Sequence, residues 1–107
     1  MILKAKTKEE IAKCVQDQKE YCERTGSPRF MPRDGVCWRC GRNIFQFYGH
    51  TGNDYRERRD GKIKWVEHGS LSCHDGEEYE HITGISNENA GTRLVTGCPH
   101  CNRSYCD

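Results

Sequence analysis

The sequence predicts a small α+β domain, with one amphipathic helix near the N-terminus and β-hairpins over the remainder. Apolar side chains recur at helical spacing in the first 25 residues, and strand-like segments separated by Gly, Asn and Asp follow them. Eight of the 107 residues are cysteines, four of them in two distant C-x-x-C motifs. The length favours one domain, which we expect to span residues 1–107.

The composition is polar for a chain that must build a core. Hydrophobic residues make up 34% of the chain and charged residues 31%. Because ordering each residue costs about 1–2 kcal/mol of backbone entropy, such a chain needs a cross-link, which cysteines supply as metal ligands or as disulfides. With a formal net charge of only +1, the chain as a whole lacks the strong positive charge typical of nucleic-acid-binding proteins.

The choice between metal and disulfides depends on the cellular compartment. The N-terminal residues MILKAKTKEE lack the apolar stretch of a signal peptide, and no segment has the roughly 20 apolar residues that span a bilayer. We therefore expect a cytoplasmic protein with no membrane association. Thiols stay reduced in that compartment, so the cysteines are expected to bind metal; export by another route would leave their disulfide pairing open.

Residues 7–25 are predicted to form the helix. Thr7 and Glu10 have the spacing of a capping box, and Gly26 is a candidate C-terminal stop. One face of this helix is formed by Ile11, Cys14, Val15, Gln18 and Cys22. We expect that face to pack on the rest of the domain, with its two cysteines as core thiols.

The remaining elements are predicted to be mostly β. Residues 27–34 have the composition of a linker, and residues 36–48 are predicted to form a hairpin arm that carries the first C-x-x-C motif. Ser86 could cap one short helical turn. Residues 92–97 are predicted to form a strand that leads into the second motif.

A strong hairpin signal lies in the middle of the chain, where Asp60–Gly61 separates the strand-like segments 55–59 and 62–68. These segments carry a basic cluster, formed by Arg56, Arg58, Arg59, Lys62 and Lys64. The cluster is interpreted as a solvated hairpin face, although a nucleic-acid partner that binds through it stays open. Trp38 and Trp65 are expected to be packing residues rather than stacking platforms.

The two C-x-x-C motifs predict a metal site with four ligands, Cys37, Cys40, Cys98 and Cys101. In VCWRCGRN and GCPHCNRS, each motif is followed by a residue that tolerates a positive φ, Gly41 or Asn102. Two such turns supply the tetrahedral all-cysteine set of a structural zinc ion. We therefore expect one Zn²⁺ ion and a zinc-bound α+β fold with zinc-ribbon or treble-clef-like hairpins.

A redox-active dithiol is the alternative interpretation of the C-P-H-C motif. Redox C-x-x-C motifs lie at a helix N-terminus inside a βαβ pattern. Only six residues follow Cys101, which is too few for that helix, and the motif is paired with a second one. The metal interpretation is therefore favoured.

Other cysteines and histidines leave a second metal site open; the candidates are Cys73 and His74, with His68, His81 or Cys106. Neighbouring ligands are geometrically awkward, and no third C-x-x-C motif supports this site. The 57 residues between Cys40 and Cys98 make residues 49–97 an insert in a zinc module that spans 36–107. We expect the function to lie in the insert, which holds most of the histidines, the basic cluster, and an acidic cluster formed by Asp75, Glu77, Glu78 and Glu80.

The region from Cys37 onward resembles the HNH endonucleases. In that family a C-x-x-C motif precedes an Asp-His pair on a hairpin strand, and an Asn-Leu pair leads into a second C-x-x-C motif that Asn-Arg often follows. Residues 80–82 (EHI) and 94–104 (LVTGCPHCNRS) follow that order. The resemblance implies that His81 is a general base beside a separate catalytic metal. The motifs are also similar to those of small phage-encoded zinc proteins, which implies no reaction.

Two functions are expected from these patterns. The first is a non-catalytic structural-zinc protein, an adaptor or inhibitor that binds a protein or nucleic-acid partner through residues 49–97. The alternative is an HNH-type metal-dependent endonuclease that uses His81. Against the alternative, Glu80 stands where the family has Asp and Arg93 where it has Asn, and the family's metal-binding helix after the second motif has no counterpart before Asp107.

Overall fold

The computed structural model describes residues 1–50 and 71–105, and the backbone of two strands between them. In chain order the elements of this part are α1 (Lys8–Thr25), β1 (Tyr48–His50), β2 (Tyr55–Arg59), β3 (Lys62–Val66), β4 (Leu71–Ser72), β5 (Ile82–Thr83) and α2 (Asn87–Thr92). The protein is thus a small α+β structure with one long helix and a three-stranded antiparallel sheet. No helix in the described part has both the length and the apolarity to cross a bilayer.

The long helix α1 begins and ends at the predicted residues. Thr7 accepts a hydrogen bond from the Glu10 backbone N–H (3.2 Å), and the Glu10 side chain accepts one from the Thr7 N–H (3.2 Å), which completes the capping box. Gly26 ends the helix with φ 70°. The predicted packing face is confirmed, because Cys14, Gln18 and Cys22 are the residues that the helix buries.

The buried amide of Gln18 joins α1 to the chain around α2. Its Nε2 donates to the carbonyl oxygens of Ala90 (2.7 Å) and Arg93 (2.8 Å), and its Oε1 accepts from the Val95 N–H (2.9 Å). Both polar atoms of this buried amide therefore have hydrogen-bond partners, so burying it leaves no polar group unsatisfied. The short helix α2 lies against α1 as a result, with Ala90 fully buried between them.

Residues 92–97 do not form the predicted strand. The helix α2 continues to Thr92, and the backbone groups of Arg93 and Val95 bond to the Gln18 side chain instead of to a neighbouring strand. A single β-bridge follows, between Gly97 and Ser104. The hairpin arm predicted over 36–48 is likewise reduced to one bridge and the start of β1.

Strand β1 is the centre of the three-stranded sheet, with β4 and β5 antiparallel on either side. Gly49 pairs with both neighbours and lies under the buried ring of Tyr79, which an added Cβ would overlap. The central predicted hairpin is confirmed for the backbone, since β2 pairs antiparallel with β3 and the register aligns Arg56 with Trp65. Its turn and residues 67–70 lie outside the described residues.

The first six residues form part of the structure, which the sequence did not indicate. Leu3 is fully buried, and its N–H donates to the Glu77 carbonyl (2.9 Å). Lys6 is also buried, and its ammonium group donates to the carbonyl oxygens of Phe45 and Ile85. Burial lowers the pKa of Lys6. Lys6 therefore holds the N-terminal segment against the chain just before β1 and just after β5.

The core lies between the two helices and the two C-x-x-C motifs. Its buried members are Cys14, Met31, Cys37, Ile44, Phe45, Ala90, Val95 and Cys98. The predicted linker contributes to this core through Met31, of which 7% is exposed. Because two motif cysteines belong to the same cluster, the core and the cysteine group form one packed unit.

Candidate metal centre

The fold brings together the four cysteines of the two C-x-x-C motifs. Their sulfur atoms all lie within 4.8 Å of one another. The Cys37 and Cys101 sulfurs are 3.7 Å apart, and those of Cys40 and Cys98 are 3.8 Å apart. A tetrahedron with metal–sulfur bonds of about 2.3 Å requires sulfurs about 3.8 Å apart, whereas a disulfide requires about 2.0 Å. The group is therefore close enough to hold a metal ion, and its thiols are not paired as disulfides.

Each pair of cysteines is carried by a turn that ends in a left-handed residue. We name residues 36–43 the first knuckle and residues 97–104 the second knuckle. The Gly41 N–H donates to the Cys37 carbonyl (2.9 Å), and the Asn102 N–H donates to the Cys98 carbonyl (3.0 Å). Gly41 has φ 72° and Asn102 has φ 62°, as the sequence predicted for these positions. These residues let the chain turn back after the second cysteine of each motif.

A second pair of equivalent hydrogen bonds closes the base of each knuckle. The Cys37 N–H donates to the Arg42 carbonyl (3.0 Å), and the Cys98 N–H donates to the Arg103 carbonyl (2.8 Å). One β-bridge then joins the first and last residues of each knuckle, 36 with 43 and 97 with 104. The two knuckles are therefore the same backbone motif used twice.

The thiols are packed too closely to ionise together without a positive charge between them. Burial raises the pKa of Cys98 and of Cys101. For Cys37 burial also raises the pKa, but the Tyr105 hydroxyl and the backbone N–H groups of residues 39 and 40 lower it overall, to about 6. A divalent cation bound among the four sulfurs would stabilise all of them as thiolates.

His100 is a structural residue rather than a further metal ligand. Only 2% of it is exposed, and its Nε2 donates to the Asn43 carbonyl (2.9 Å). Nδ1 lies 2.7 Å from the Thr83 hydroxyl, from which it accepts when the ring is neutral. Burial lowers the pKa of His100 to about 4, which favours the same state. His100 thus connects the second knuckle to the first knuckle and to β5.

The prediction that Trp38 is a packing residue holds only for one aromatic contact, because most of the side chain is exposed. Its side chain is 61% exposed on the first knuckle. Its ring lies against the ring of Tyr105, with 4.6 Å between the ring centroids and an interplanar angle of 49°. One face of an aromatic ring is therefore held at the surface beside the cysteine group. The side chain of Trp65 lies outside the described residues.

The other predicted ligands are not gathered in the same way. In residues 1–50 and 71–105, the four cysteines are the only group of three or more donors close enough for one ion, and neither Cys73 nor His74 belongs to another such group. Combinations with His68 or Cys106 fall outside the described residues. His81 lies beside His50, with 4.8 Å between the ring centroids.

The sequence therefore identified the cysteine group but gave no sign that His100 supports it, because the partners of His100 are 17 and 57 residues away. The basic residues of the central hairpin belong to β2 and β3, for which the structure describes the backbone but not the side chains. Comparisons of the chain with protein-family models, with curated proteins and with solved structures give no match.

Proposed function

We propose that the four cysteines hold one structural zinc ion, and that the chain is a non-catalytic binding protein, an adaptor or inhibitor, whose partner contacts residues 49–97. The observation that carries the proposal is the closed donor set. Four thiolates fill a tetrahedral zinc ion and leave no position for a water molecule or substrate, which distinguishes structural from catalytic sites. In this proposal the metal ion stabilises the fold, and surface residues recognise the partner.

The basic hairpin β2–β3 is the part of the insert that best suits a charged partner. Its strands form a two-stranded sheet of their own, separate from β4-β1-β5 within the described part of the chain. Residues 55–64 contain five basic and two acidic residues. Such a local excess attracts phosphate groups or acidic protein surfaces, although the net charge of the whole chain is only +1.

A pull-down from a cell lysate tests this proposal, with and without nuclease treatment. The hairpin variant is Arg56→Gln/Arg58→Gln/Arg59→Gln. The control variant, Lys4→Gln/Lys8→Gln/Arg39→Gln, removes the same charge from exposed positions outside residues 49–97. We expect capture of a partner by the wild type and the control but not by the hairpin variant. Equal capture by all three proteins would contradict the proposal.

A metal-dependent nuclease is the second candidate function, and one observation favours it. His81 precedes β5, and its ring lies beside that of His50 on the paired strand β1, so two side chains of a type that can move a proton or bind a cation lie together. The test is plasmid nicking with Mg²⁺, Mn²⁺ or Ni²⁺. His81→Ala should abolish it, whereas His74→Ala, at an exposed histidine, should not. Folded protein that leaves plasmid intact with all three ions would eliminate this candidate.

A further inference from the structure

A cleft with a basic lining lies between the second half of α1 and the segment that joins α1 to the first knuckle. It has a volume of about 410 Å³ and is lined by Lys19, Arg29, Met31 and Arg33. Met31 is buried in the core, Lys19 is half-buried, and the two arginines are exposed. The cleft therefore has a fixed apolar floor and a rim on which every ionisable group is a cation.

The charges of this rim are not neutralised by the described residues. In residues 1–50 and 71–105, the side chains of Lys19, Arg29 and Arg33 make no ion pair or hydrogen bond. Glu23 lies one helical turn after Lys19 but does not line the cleft. Three cationic side chains that line one concave surface raise the local positive potential, which attracts an anion.

The chemistry of the three groups suits a phosphate better than a carboxylate. A guanidinium group presents a planar fork of donors that matches two oxygens of a phosphate, and the ammonium group adds a mobile point charge. Two arginines and one lysine can engage three phosphate oxygens at once, whereas a carboxylate offers two. We propose that this cleft binds phosphate groups, either of a nucleic-acid backbone or of a free polyphosphate.

The proposal does not depend on the proposed function, because all four lining residues lie outside residues 49–97. Capture of a partner through the hairpin could fail while the cleft still binds phosphate, and the reverse could also occur. The two ideas are therefore tested by different variants. The cleft variant is Lys19→Gln/Arg29→Gln/Arg33→Gln, and the matched control is the Lys4→Gln/Lys8→Gln/Arg39→Gln variant described above.

The first measurement is a titration of the ¹⁵N-labelled full chain with inorganic pyrophosphate, followed by two-dimensional NMR. We expect saturable shifts centred on the backbone amides of Lys19, Arg29 and Arg33 and on the Nε–Hε signals of the two arginines. The cleft variant should bind at least about tenfold more weakly, and the control variant should bind like the wild type. Spectra of the free variants that overlay the wild-type spectrum establish that both are folded.

The second measurement separates the two sources of phosphate, using a fluorescein-labelled single-stranded 12-mer in anisotropy titrations over a range of salt concentrations. Each phosphate contact on a single strand contributes about 0.7 to the slope of log K against log salt, so loss of three contacts should lower that slope by about 2. Such a loss in the cleft variant identifies a nucleic-acid backbone. Pyrophosphate binding without oligonucleotide binding identifies a free polyphosphate.

Three results would overturn the proposal. The first is that pyrophosphate produces no saturable shifts, or shifts centred away from the cleft. The second is an equal loss of binding in the cleft and control variants, which would show a response to net charge alone. The third is displacement of pyrophosphate by poly-glutamate at equal charge concentration, which would identify an acidic peptide as the preferred ligand.

Discussion

The two knuckles have the same backbone but different surroundings. Both use a C-x-x-C turn, a left-handed exit residue and one closing bridge. Between the cysteines, however, the first knuckle carries Trp38 and Arg39, both exposed, whereas the second carries Pro99 and His100. His100 is 2% exposed and Trp38 is 61% exposed. The same turn thus faces outward in one half of the chain and inward in the other.

This difference shows which residues determine the turn and which determine its environment. The cysteines and the left-handed residues are sufficient for the backbone of a knuckle, because those features are shared. The two residues between the cysteines decide what the knuckle contacts. His100 connects the second knuckle to Asn43 and Thr83, while Trp38 contacts Tyr105 and solvent. Substitutions at equivalent positions should therefore have unequal effects.

The largest effect is expected from loss of one cysteine of either knuckle. Structural zinc sites contribute about 10–16 kcal/mol, which exceeds the net stability of most domains. Cys37→Ser or Cys98→Ser should therefore abolish both metal binding and the cooperative unfolding transition seen by circular dichroism. Cys73→Ser, at a half-buried cysteine outside the group, is the control and should change neither. A Cys98→Ser protein that unfolds at the wild-type midpoint would show that the knuckles need no shared ion.

The next effect separates the equivalent positions of Arg39 and His100. His100→Ala removes two buried hydrogen bonds and leaves a cavity, so we expect the free energy of unfolding to fall by about 3 kcal/mol. Arg39→Ala changes an exposed side chain and should alter it by less than about 0.5 kcal/mol. Urea denaturation of the metal-loaded proteins measures both. Similar losses for the two variants would mean that the knuckles are equally buried in solution.

A smaller effect is expected where the knuckles are alike, at Gly41 and Asn102. An added Cβ on Gly41 meets no atom within 4 Å, so Gly41→Ala should cost only the strain of its positive φ, about 1–2 kcal/mol. Asn tolerates this conformation better than Ala does, so Gly41→Asn should cost less. Asn102→Gly should be neutral or slightly stabilising. A higher denaturation midpoint for Gly41→Ala than for Gly41→Asn would contradict the left-handed conformation assigned to this residue.

An effect on stability below that of Gly41→Ala is expected at Trp38. Trp38→Ala loses one aromatic contact with Tyr105, which is worth about 0.5–1.5 kcal/mol, and little burial. In a Trp65→Phe background, the fluorescence of Trp38 should be quenched efficiently by iodide. Protection from iodide in the isolated chain would show that the first knuckle is covered, and the contrast with the second knuckle would then be lost.

Local signals in the sequence were sufficient for some of these features. The limits of α1 follow from a capping box and a glycine with a left-handed conformation, which are contacts within three or four residues. The similarity of the two C-x-x-C segments indicated the cysteine group, since each segment forms its own turn before the two meet. The β2–β3 hairpin is also a local pairing, and its backbone follows the prediction.

The features that the sequence did not predict depend on contacts between distant residues. Residues 92–97 have strand-like composition, but the Gln18 side chain, 77 residues before Val95, takes the hydrogen bonds that a neighbouring strand would have used. From the sequence Lys6 looks like an ordinary solvent-exposed lysine. In the structure it is buried and donates hydrogen bonds to carbonyl oxygens 39 and 79 residues away. The burial of His100 and the exposure of Trp38 likewise depend on contacts with residues far along the chain.

The central claim, that the two knuckles close over one shared zinc ion, is tested most directly by X-ray absorption at the zinc edge on the purified full chain. We predict one zinc ion per chain with four sulfur neighbours at about 2.3 Å and no nitrogen or oxygen neighbours. A folded chain that contains no zinc, or zinc with fewer than four sulfur neighbours, would contradict this account.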